Sequence, residues 1–183
     1  MAVVPRHGFT LVELTVVVTI VGVMAMVALP RIGSTISLRR AQTAGEMLRA
    51  DLQSARTTAM TTSRPLLIEF DTAASTYSVS EAFGAPPAGM QPIARTVDLS
   101  LEPYGVRIAA ASFKSYGITE PARSRYVYDI YGRARAPDAS LFHSPGVSDT
   151  PVFEGTIDLE AGPRSVRLVL DPATGNITTE TTK

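Results

Sequence analysis

Cysteine is absent from the 183-residue chain. This absence excludes disulfide frameworks, thiolate nucleophiles and thiolate metal sites, and it leaves the redox compartment open. Only two histidines occur, His7 and His143, which is too few for a histidine-based metal centre or acid–base pair. Charge is balanced, with 17 Lys and Arg against 17 Asp and Glu. A nucleic acid, an anionic lipid or an acidic substrate would therefore have to bind a local patch of the surface.

Two further polar groupings give no defensible catalytic or metal site. Ser144 and Asp149 accompany His143, but adjacent side chains point apart and the sequence has no G-x-S-x-G turn. Asp171 and Asn176 offer oxygen ligands, yet their spacing matches no calcium loop and a Pro-Gly turn accounts for both residues. We therefore expect no enzymatic activity, no cofactor and no metal.

A long apolar run, Phe9–Leu29, follows eight residues that include Arg6 and His7, and it contains a single charge, at Glu13. As a helix its 21 residues would be about 30 Å long, which is the thickness of a bilayer core. A secretory signal peptide is a weaker interpretation, because its apolar stretch is usually shorter and ends in small residues, whereas this run ends in Ala28–Arg31. The run predicts a membrane-spanning helix.

Glu13 distinguishes this run from a plain signal anchor. An acidic side chain within hydrocarbon costs roughly 2.5 to 3.5 kcal/mol, so it is expected to have a partner. Cleavage after Gly8 would create a cationic amine at Phe9, one helical turn before Glu13. The sequence leaves open whether the pair forms within one helix or between neighbouring subunits. Arg6 favours a cytoplasmic N-terminus, although Arg31 after the span weakens that bias.

The run Gly8-Phe9-Thr10-Leu11-Val12-Glu13-Leu14 resembles the prepilin peptidase site of type IV pilins and type II secretion pseudopilins. The resemblance implies that residues 1–8 are a leader, that Gly8 precedes the scissile bond and that Phe9 becomes the N-methylated first residue. It also implies that Glu13 sets the register between subunits. Pro30 lies where many pilins have a helix-kinking proline, and the alternative is that it simply ends the membrane helix.

A second helical pattern follows Pro30, and Arg64-Pro65 ends it. Small and apolar residues recur at helical spacing, which predicts one long helix from Phe9 to about Thr62 with a disturbance near Pro30. The apolar positions are Ala41, Ala44, Leu48, Leu52, Ala55 and Ala59.

From Pro65 onward the period of the apolar residues changes to two, which predicts half-buried strands. The clearest are 66–70, 126–130 and 166–170, and the weaker ones are 76–80, 96–101, 106–110, 156–159 and 176–179. In the second strand, Tyr126, Tyr128 and Ile130 would face the core while Asp129 faces solvent. Residues 138–151 are predicted to form a loop.

The order of these elements resembles the GspH/FimT family of minor pseudopilins and minor pilins, with matching residues at 51–59, at Gly132-Arg133 and at Thr174-Gly175-Asn176. The resemblance implies an α+β, pilin-like fold with a long N-terminal helix on antiparallel sheet. Residues 9–30 would be the transmembrane and assembly helix, and residues 31–183 the periplasmic globular domain. The chain has Asn176 and Thr178 where nucleic-acid-binding minor pilins have a basic turn.

A local arginine patch is the best sequence signal for nucleic acid. Its members are Arg123, Arg125, Arg133 and Arg135, interleaved with tyrosines. Arginines contact phosphates and tyrosines stack on bases, so the patch fits DNA binding. Strand alternation argues against it, because two of the tyrosines fall on the apolar face.

The sequence as a whole predicts a minor pseudopilin of the H type, a non-catalytic subunit of a type II secretion pseudopilus. The expected partners are prepilin peptidase, the other subunits of the filament and inner-membrane lipid, with secreted substrate or DNA as further candidates. The alternatives are a FimT-like type IV minor pilin, which binds DNA in transformation or helps pilus assembly, and a simple membrane-anchored domain.

Overall fold

The computed structural model describes residues 10–82, 89–115, 124–137 and 151–182, and it describes only the backbone at 27–32, 34, 181 and 182. The described chain contains one helix, α1, and nine strands. The elements are α1 (Leu11–Thr62), β1 (Leu66–Asp71), β2 (Thr76–Glu81), β3 (Ala94–Asp98), β4 (Arg107–Ser115), β5 (Arg125–Tyr128), β6 (Ala134–Arg135), β7 (Val152–Ala161), β8 (Arg164–Leu170) and β9 (Ile177–Thr182).

Helix α1 is 52 residues long and its helical backbone continues through Pro30, so the proline does not end it. It ends at Thr62, where the sequence pattern predicted the end. Ser63 has a positive φ of 53°, and the Arg64 N–H donates to the Ala59 carbonyl at 3.2 Å. This left-handed residue followed by Pro65 stops the helix, because proline has no N–H to continue the ladder.

All strands pair antiparallel, in two sheets with the orders β3-β2-β1-β5-β6 and β4-β7-β8-β9. A helix with antiparallel sheets in a small globular unit confirms the predicted α+β, pilin-like fold. Each predicted strand overlaps an observed one, whereas β6 was missed because two residues are too few to show a period. Residues 138–150 of the predicted loop lie outside the described residues, and Pro151 forms an isolated bridge with Arg135.

The small apolar face of α1 is buried as predicted. Its six predicted positions from Ala41 to Ala59 are at most 6% exposed, and they share one core with both sheets. The β1 and β8 alternation is confirmed by the buried residues Leu66, Ile68, Phe70, Val166, Leu168 and Leu170. Aromatic rings from both sheets meet in this core, because Phe113 of β4 stacks on Phe70 at 5.6 Å and contacts Tyr126 at 4.6 Å between centroids.

The predicted alternation beyond β5 is wrong. The strand ends at Tyr128, so the next residues follow a turn and not a pleat. Asp129 is buried at 4% exposure and Ile130 is 38% exposed, which is the reverse of the prediction. The turn uses the Asp129 carboxylate as a hydrogen-bond acceptor, and this use draws the acid inward.

The chain divides into two compact units, with the boundary between Ile36 and Ser37. Unit 2 holds the sheets and the buried face of α1. At residues 10–26 of unit 1, every side chain is exposed. Within the described residues, no helix combines the length and the apolar character that crossing a membrane requires.

Candidate functional site

The start of α1 is fixed by Thr10. Its Oγ1 accepts the Glu13 N–H at 3.2 Å, and its carbonyl accepts the Leu14 N–H at 3.1 Å. Thr10 is therefore the N-cap and Glu13 the third helical residue, the arrangement of a T-x-x-E capping motif. Sequence reasoning assigned Glu13 only to assembly, although the motif is visible in the sequence. Gly8 and Phe9, the predicted cleavage site, lie outside the described residues.

The first turns of α1 present apolar side chains in all directions. Leu11 is 79% exposed, Val17 in the middle is 47% exposed and Met26 is 78% exposed. Glu13 is also exposed and is the only acidic residue in the first turn. A helix that is apolar all round is normally covered by lipid or by other helices. This segment is a candidate assembly surface.

A second candidate lies where two glycine turns meet. In the turn between β5 and β6, the Gly132 N–H donates to the Asp129 carbonyl at 2.9 Å. In the turn between β8 and β9, the Gly175 N–H donates to the Asp171 carbonyl at 2.8 Å. Gly132 and Gly175 have φ values of 74° and 70°, a left-handed conformation that glycine adopts without strain.

Arg56 of α1 joins the two turns. Its Nε donates to the Gly132 carbonyl at 2.9 Å, and one terminal nitrogen donates to Asn176 Oδ1 at 2.9 Å. The Tyr128 hydroxyl donates to the Gly175 carbonyl at 3.2 Å. We call Arg56, Tyr128, Gly132, Gly175 and Asn176 the Arg56 clasp. The two glycine motifs on which the family resemblance depends, at Gly132 and at Gly175, are therefore joined in the folded chain through Arg56.

The clasp is built on a buried tyrosine. Burial is the main reason that the pKa of Tyr128 is raised to about 12, and the nearby charge of Arg56 partly opposes this increase. Burial likewise raises the pKa of Tyr126 well above its usual value. Both hydroxyls stay neutral at physiological pH, so Tyr128 acts as a donor to the turn.

The predicted arginine patch is largely neutralised by acids. Arg123 lies outside the described residues, and Arg125 pairs with Glu69 at 3.8 Å. Arg133 and Arg135 both donate to Asp129 Oδ2, at 2.9 and 3.1 Å. Arg135 is only 8% exposed.

Asp129 is the centre of this cluster. Burial would raise the pKa of Asp129, but hydrogen bonds from the Arg133 backbone, from the Arg135 and Arg133 side chains and from the Tyr131 backbone outweigh it and lower that pKa. Of the interleaved tyrosines, only Tyr131 is exposed, at 66%, with the Arg133 guanidinium 4.9 Å from its ring centre. A stacking and phosphate-binding surface is thus reduced to Tyr131, Arg133 and Arg125.

The remaining polar candidates are accounted for by the turns or lie beyond the described chain. The Asp171 carboxylate accepts the Ala173 N–H at 2.9 Å and the Thr174 hydroxyl at 2.6 Å, as expected for a turn. Residues 143–149, which hold the predicted Ser-His-Asp grouping, lie outside the described residues.

Comparison with protein families bears on the N-terminal segment. Residues 5–29 match the family described as the prokaryotic N-terminal methylation motif. The chain carries a prepilin-type N-terminus. No curated protein matches this chain in sequence.

Among solved structures, the chain is similar to the minor pseudopilin EpsH from the type II secretion system of Vibrio cholerae. Two EpsH structures match with TM-scores of 0.47 and 0.49 at 10% and 11% identity, covering 78% and 80% of this chain and 97% and 96% of theirs. The type IV minor pilin FimU of Pseudomonas aeruginosa matches with a TM-score of 0.44 at 20% identity, covering 76% of this chain and 91% of FimU.

Proposed function

We propose that this chain is a non-catalytic filament subunit, a minor pseudopilin of the H type that serves a type II secretion system. The observation that carries the proposal is the methylation motif over residues 5–29, on a helix whose residues 10–26 are exposed and almost entirely apolar. The α+β unit that follows is the kind of domain that the resemblance to the GspH/FimT family implies.

The exposed apolar helix needs two successive environments. Before assembly, the sequence run Phe9–Leu29 lies in the inner membrane, with the leader in the cytoplasm and residues 31–183 in the periplasm. After prepilin peptidase cleaves between Gly8 and Phe9 and Phe9 is methylated, the same surface packs against the helices of other subunits. The apolar side chains stay in an apolar environment during this transfer, because lipid and neighbouring helices are both apolar.

Glu13 gives the packing its register. Its backbone N–H is already capped by Thr10, and its side chain is exposed, so the carboxylate is available to another group. In hydrocarbon an unpaired carboxylate is unfavourable by a few kcal/mol, and the amine created at Phe9 of a neighbouring subunit relieves this cost. Pairing between subunits then favours one axial offset over the others.

The first experiment tests processing. Gly8→Val should leave the chain at its full mass and without N-terminal methylation, whereas the unaltered chain should lose residues 1–8. Mass spectrometry of the N-terminal peptide from membranes measures both. Cleavage elsewhere, or none in the unaltered chain, contradicts the proposed prepilin pathway.

The second experiment tests assembly. Glu13→Gln should still insert into the membrane but should enter filaments poorly, as measured by the chain's share in sheared filaments against membranes. Glu46→Gln is the matched control, because Glu46 is an exposed glutamate of the same helix that lies in unit 2. Equal incorporation of the Glu13 and Glu46 variants contradicts the electrostatic register.

The alternative is a FimT-like minor pilin that binds DNA or helps pilus assembly. The exposed contact between Tyr131 and Arg133 favours it, since an aromatic ring beside a guanidinium suits base stacking. Salt-dependent DNA binding by the full chain in detergent, reduced by Arg125→Gln with Arg133→Gln and kept by Arg167→Gln, would support it. No binding at low salt removes it. Neighbouring secretion genes favour the pseudopilin, and pilus or competence genes the pilin.

A further inference from the structure

Four arginines collect at the end of unit 2 where the chain enters it. Two are exposed residues of α1, Arg39 and Arg40, and the others are the first residues of two strands, Arg107 of β4 and Arg164 of β8. We use the name basic rim for these four arginines together with the exposed Leu101, which precedes Arg107 in the sequence.

Strand register places these residues at one end of the unit. Arg107 pairs with Glu160, and Ala161 pairs with Arg164 across the turn between β7 and β8. A Cβ on Gly162 of that turn would lie 3.4 Å from Ser37 Oγ, the first residue of the unit. The loop before β4 reaches the same place, because a Cβ on Gly105 would lie 3.4 Å from the Arg40 guanidinium.

The charge of the rim is positive although the chain is neutral overall. Glu102 faces Arg40 at 3.5 Å, with both side chains exposed, and Glu160 contacts Arg107 at 2.6 Å. Within the part of the chain that the structure describes, neither Arg39 nor Arg164 contacts a carboxylate. The four arginines and two glutamates leave two cations uncompensated.

An exposed apolar side chain, that of Leu101, is next in sequence to Glu102, which pairs with Arg40. Leu101 is 61% exposed in the loop between β3 and β4, while the neighbouring Tyr104 packs against the core and anchors the loop. Backbone hydrogen bonds from Tyr104 and Gly105 to the Leu101 carbonyl, both 3.0 Å, fix the turn. An exposed leucine next to the residue that pairs with Arg40 suits the boundary between lipid headgroups and acyl chains.

The sequence limits how far the rim can be from the end of the apolar run. Ser37 follows Leu29 by eight residues, which span about 12 Å as a helix and at most about 28 Å fully extended. We propose that the basic rim binds anionic phospholipid headgroups, with Leu101 entering the interface, and holds unit 2 on the membrane before assembly. This inference rests on the proposed membrane anchoring of residues 9–30.

The absence of cysteine allows a direct test with the full-length chain. Leu101→Cys, labelled with an environment-sensitive fluorophore, is reconstituted into phosphatidylcholine vesicles and into vesicles containing phosphatidylglycerol. The label should move to a less polar environment only with phosphatidylglycerol, and high salt should reverse the change because screening weakens the attraction. The control label at Tyr131→Cys should not respond, because Tyr131 is far from the basic rim. Its neighbour Gly132 contacts Arg56, which is 16 residues, or about 24 Å, along α1 from Arg40.

Neutralising the uncompensated arginines tests the charge itself. Arg39→Gln with Arg164→Gln should lower the ratio of docked to free unit 2 about 25-fold, taking about fivefold for each arginine near an anionic surface. Lys114→Gln is the control, since Lys114 is an exposed cation that is paired with Glu154 and lies near the opposite end of β4 from Arg107.

Flotation of the vesicles separates the two proposals. If the chain floats with both kinds of vesicle and the Leu101 label does not distinguish them, the rim proposal is overturned and the membrane anchor stands. If the chain floats with neither, the membrane anchor fails and the rim proposal fails with it. A label response that survives the double substitution also overturns the rim proposal.

Discussion

Replacing Gly175 with alanine should open the Arg56 clasp. Gly175 has a φ of 70°, and an added Cβ would overlap the Gly132 carbonyl oxygen and lie 3.4 Å from both Arg56 Nε and a ring carbon of Tyr128. The overlap is with backbone, so no change of side-chain rotamer relieves it. The two glycine turns must separate, and the contacts that depend on their closeness are lost.

The expected loss is the sum of three contributions. An L-residue in the left-handed region costs about 1 to 2 kcal/mol. Separation of the turns weakens the Tyr128 hydrogen bond to the Gly175 carbonyl and the Arg56 bond to Asn176, each of which contributes about 1 kcal/mol net. The total of about 3 to 4 kcal/mol corresponds to a fall in Tm of roughly 6 to 16 °C for a unit of this size.

Thermal unfolding of the full chain in detergent, followed by circular dichroism, measures the effect. Gly162→Ala is the matched control, because Gly162 also has a positive φ, 58°, but an added Cβ would only come within 3.4 Å of Ser37 Oγ. The control should lose only the backbone contribution of about 1 to 2 kcal/mol. If the Tm falls by the same amount in both variants, the contact between the two turns contributes nothing to stability and the reasoning is refuted.

Three further substitutions test other parts of unit 2 by urea unfolding. Asp129→Asn removes the carboxylate shared by Arg133 and Arg135 and should cost about 3 kcal/mol near neutral pH. Folding lowers the pKa of Asp129, so the ionised carboxylate stabilises the fold at pH values above the usual carboxyl range. This stabilisation is lost as pH falls through the lowered pKa. The difference in unfolding free energy between the Asp129→Asn variant and the unaltered chain should therefore shrink as the pH is lowered. Arg56→Lys should cost about 2 kcal/mol, since lysine keeps the charge but not the forked donors that bind Gly132 and Asn176. The surface control is Arg107→Lys, because Arg107 makes a single bond to Glu160, and a loss for Arg56→Lys no larger than that of the control contradicts this expectation. Leu48→Ala, at a fully buried position, should cost about 2 to 5 kcal/mol, and an unchanged stability would contradict the described core.

Periodic features of the fold could be predicted from sequence because a repeated side-chain spacing records which face is buried. The α1 face from Ala41 to Ala59 and the alternation in β1 and β8 are of this kind. Burial of Asp129 could not be predicted this way. Extrapolating the β5 alternation by one residue put the acid in solvent, whereas the chain had already turned.

The candidate site was predictable only in part. Thr10 and Glu13 form a local capping pattern that the sequence displays, although only the assembly role of Glu13 was predicted. The Arg56 clasp joins residues 76 and 120 positions apart in the chain, and no local spacing encodes such a contact. The sequence marked its two glycine turns separately, and only the folded chain shows that one arginine binds both.

Helix α1 divides two tasks between different kinds of surface. From Ala41 to Ala59 it buries one face of small and apolar residues against the sheets, so that surface is satisfied within the chain. From Leu11 to Met26 its apolar side chains are exposed in every direction, and within the described residues nothing covers them. In the proposed function, their burial free energy is released in the membrane and then against the other subunits of the filament. Under the proposed function, stability of unit 2 and assembly through unit 1 therefore depend on different residues of one helix, and we expect substitutions to impair either one alone.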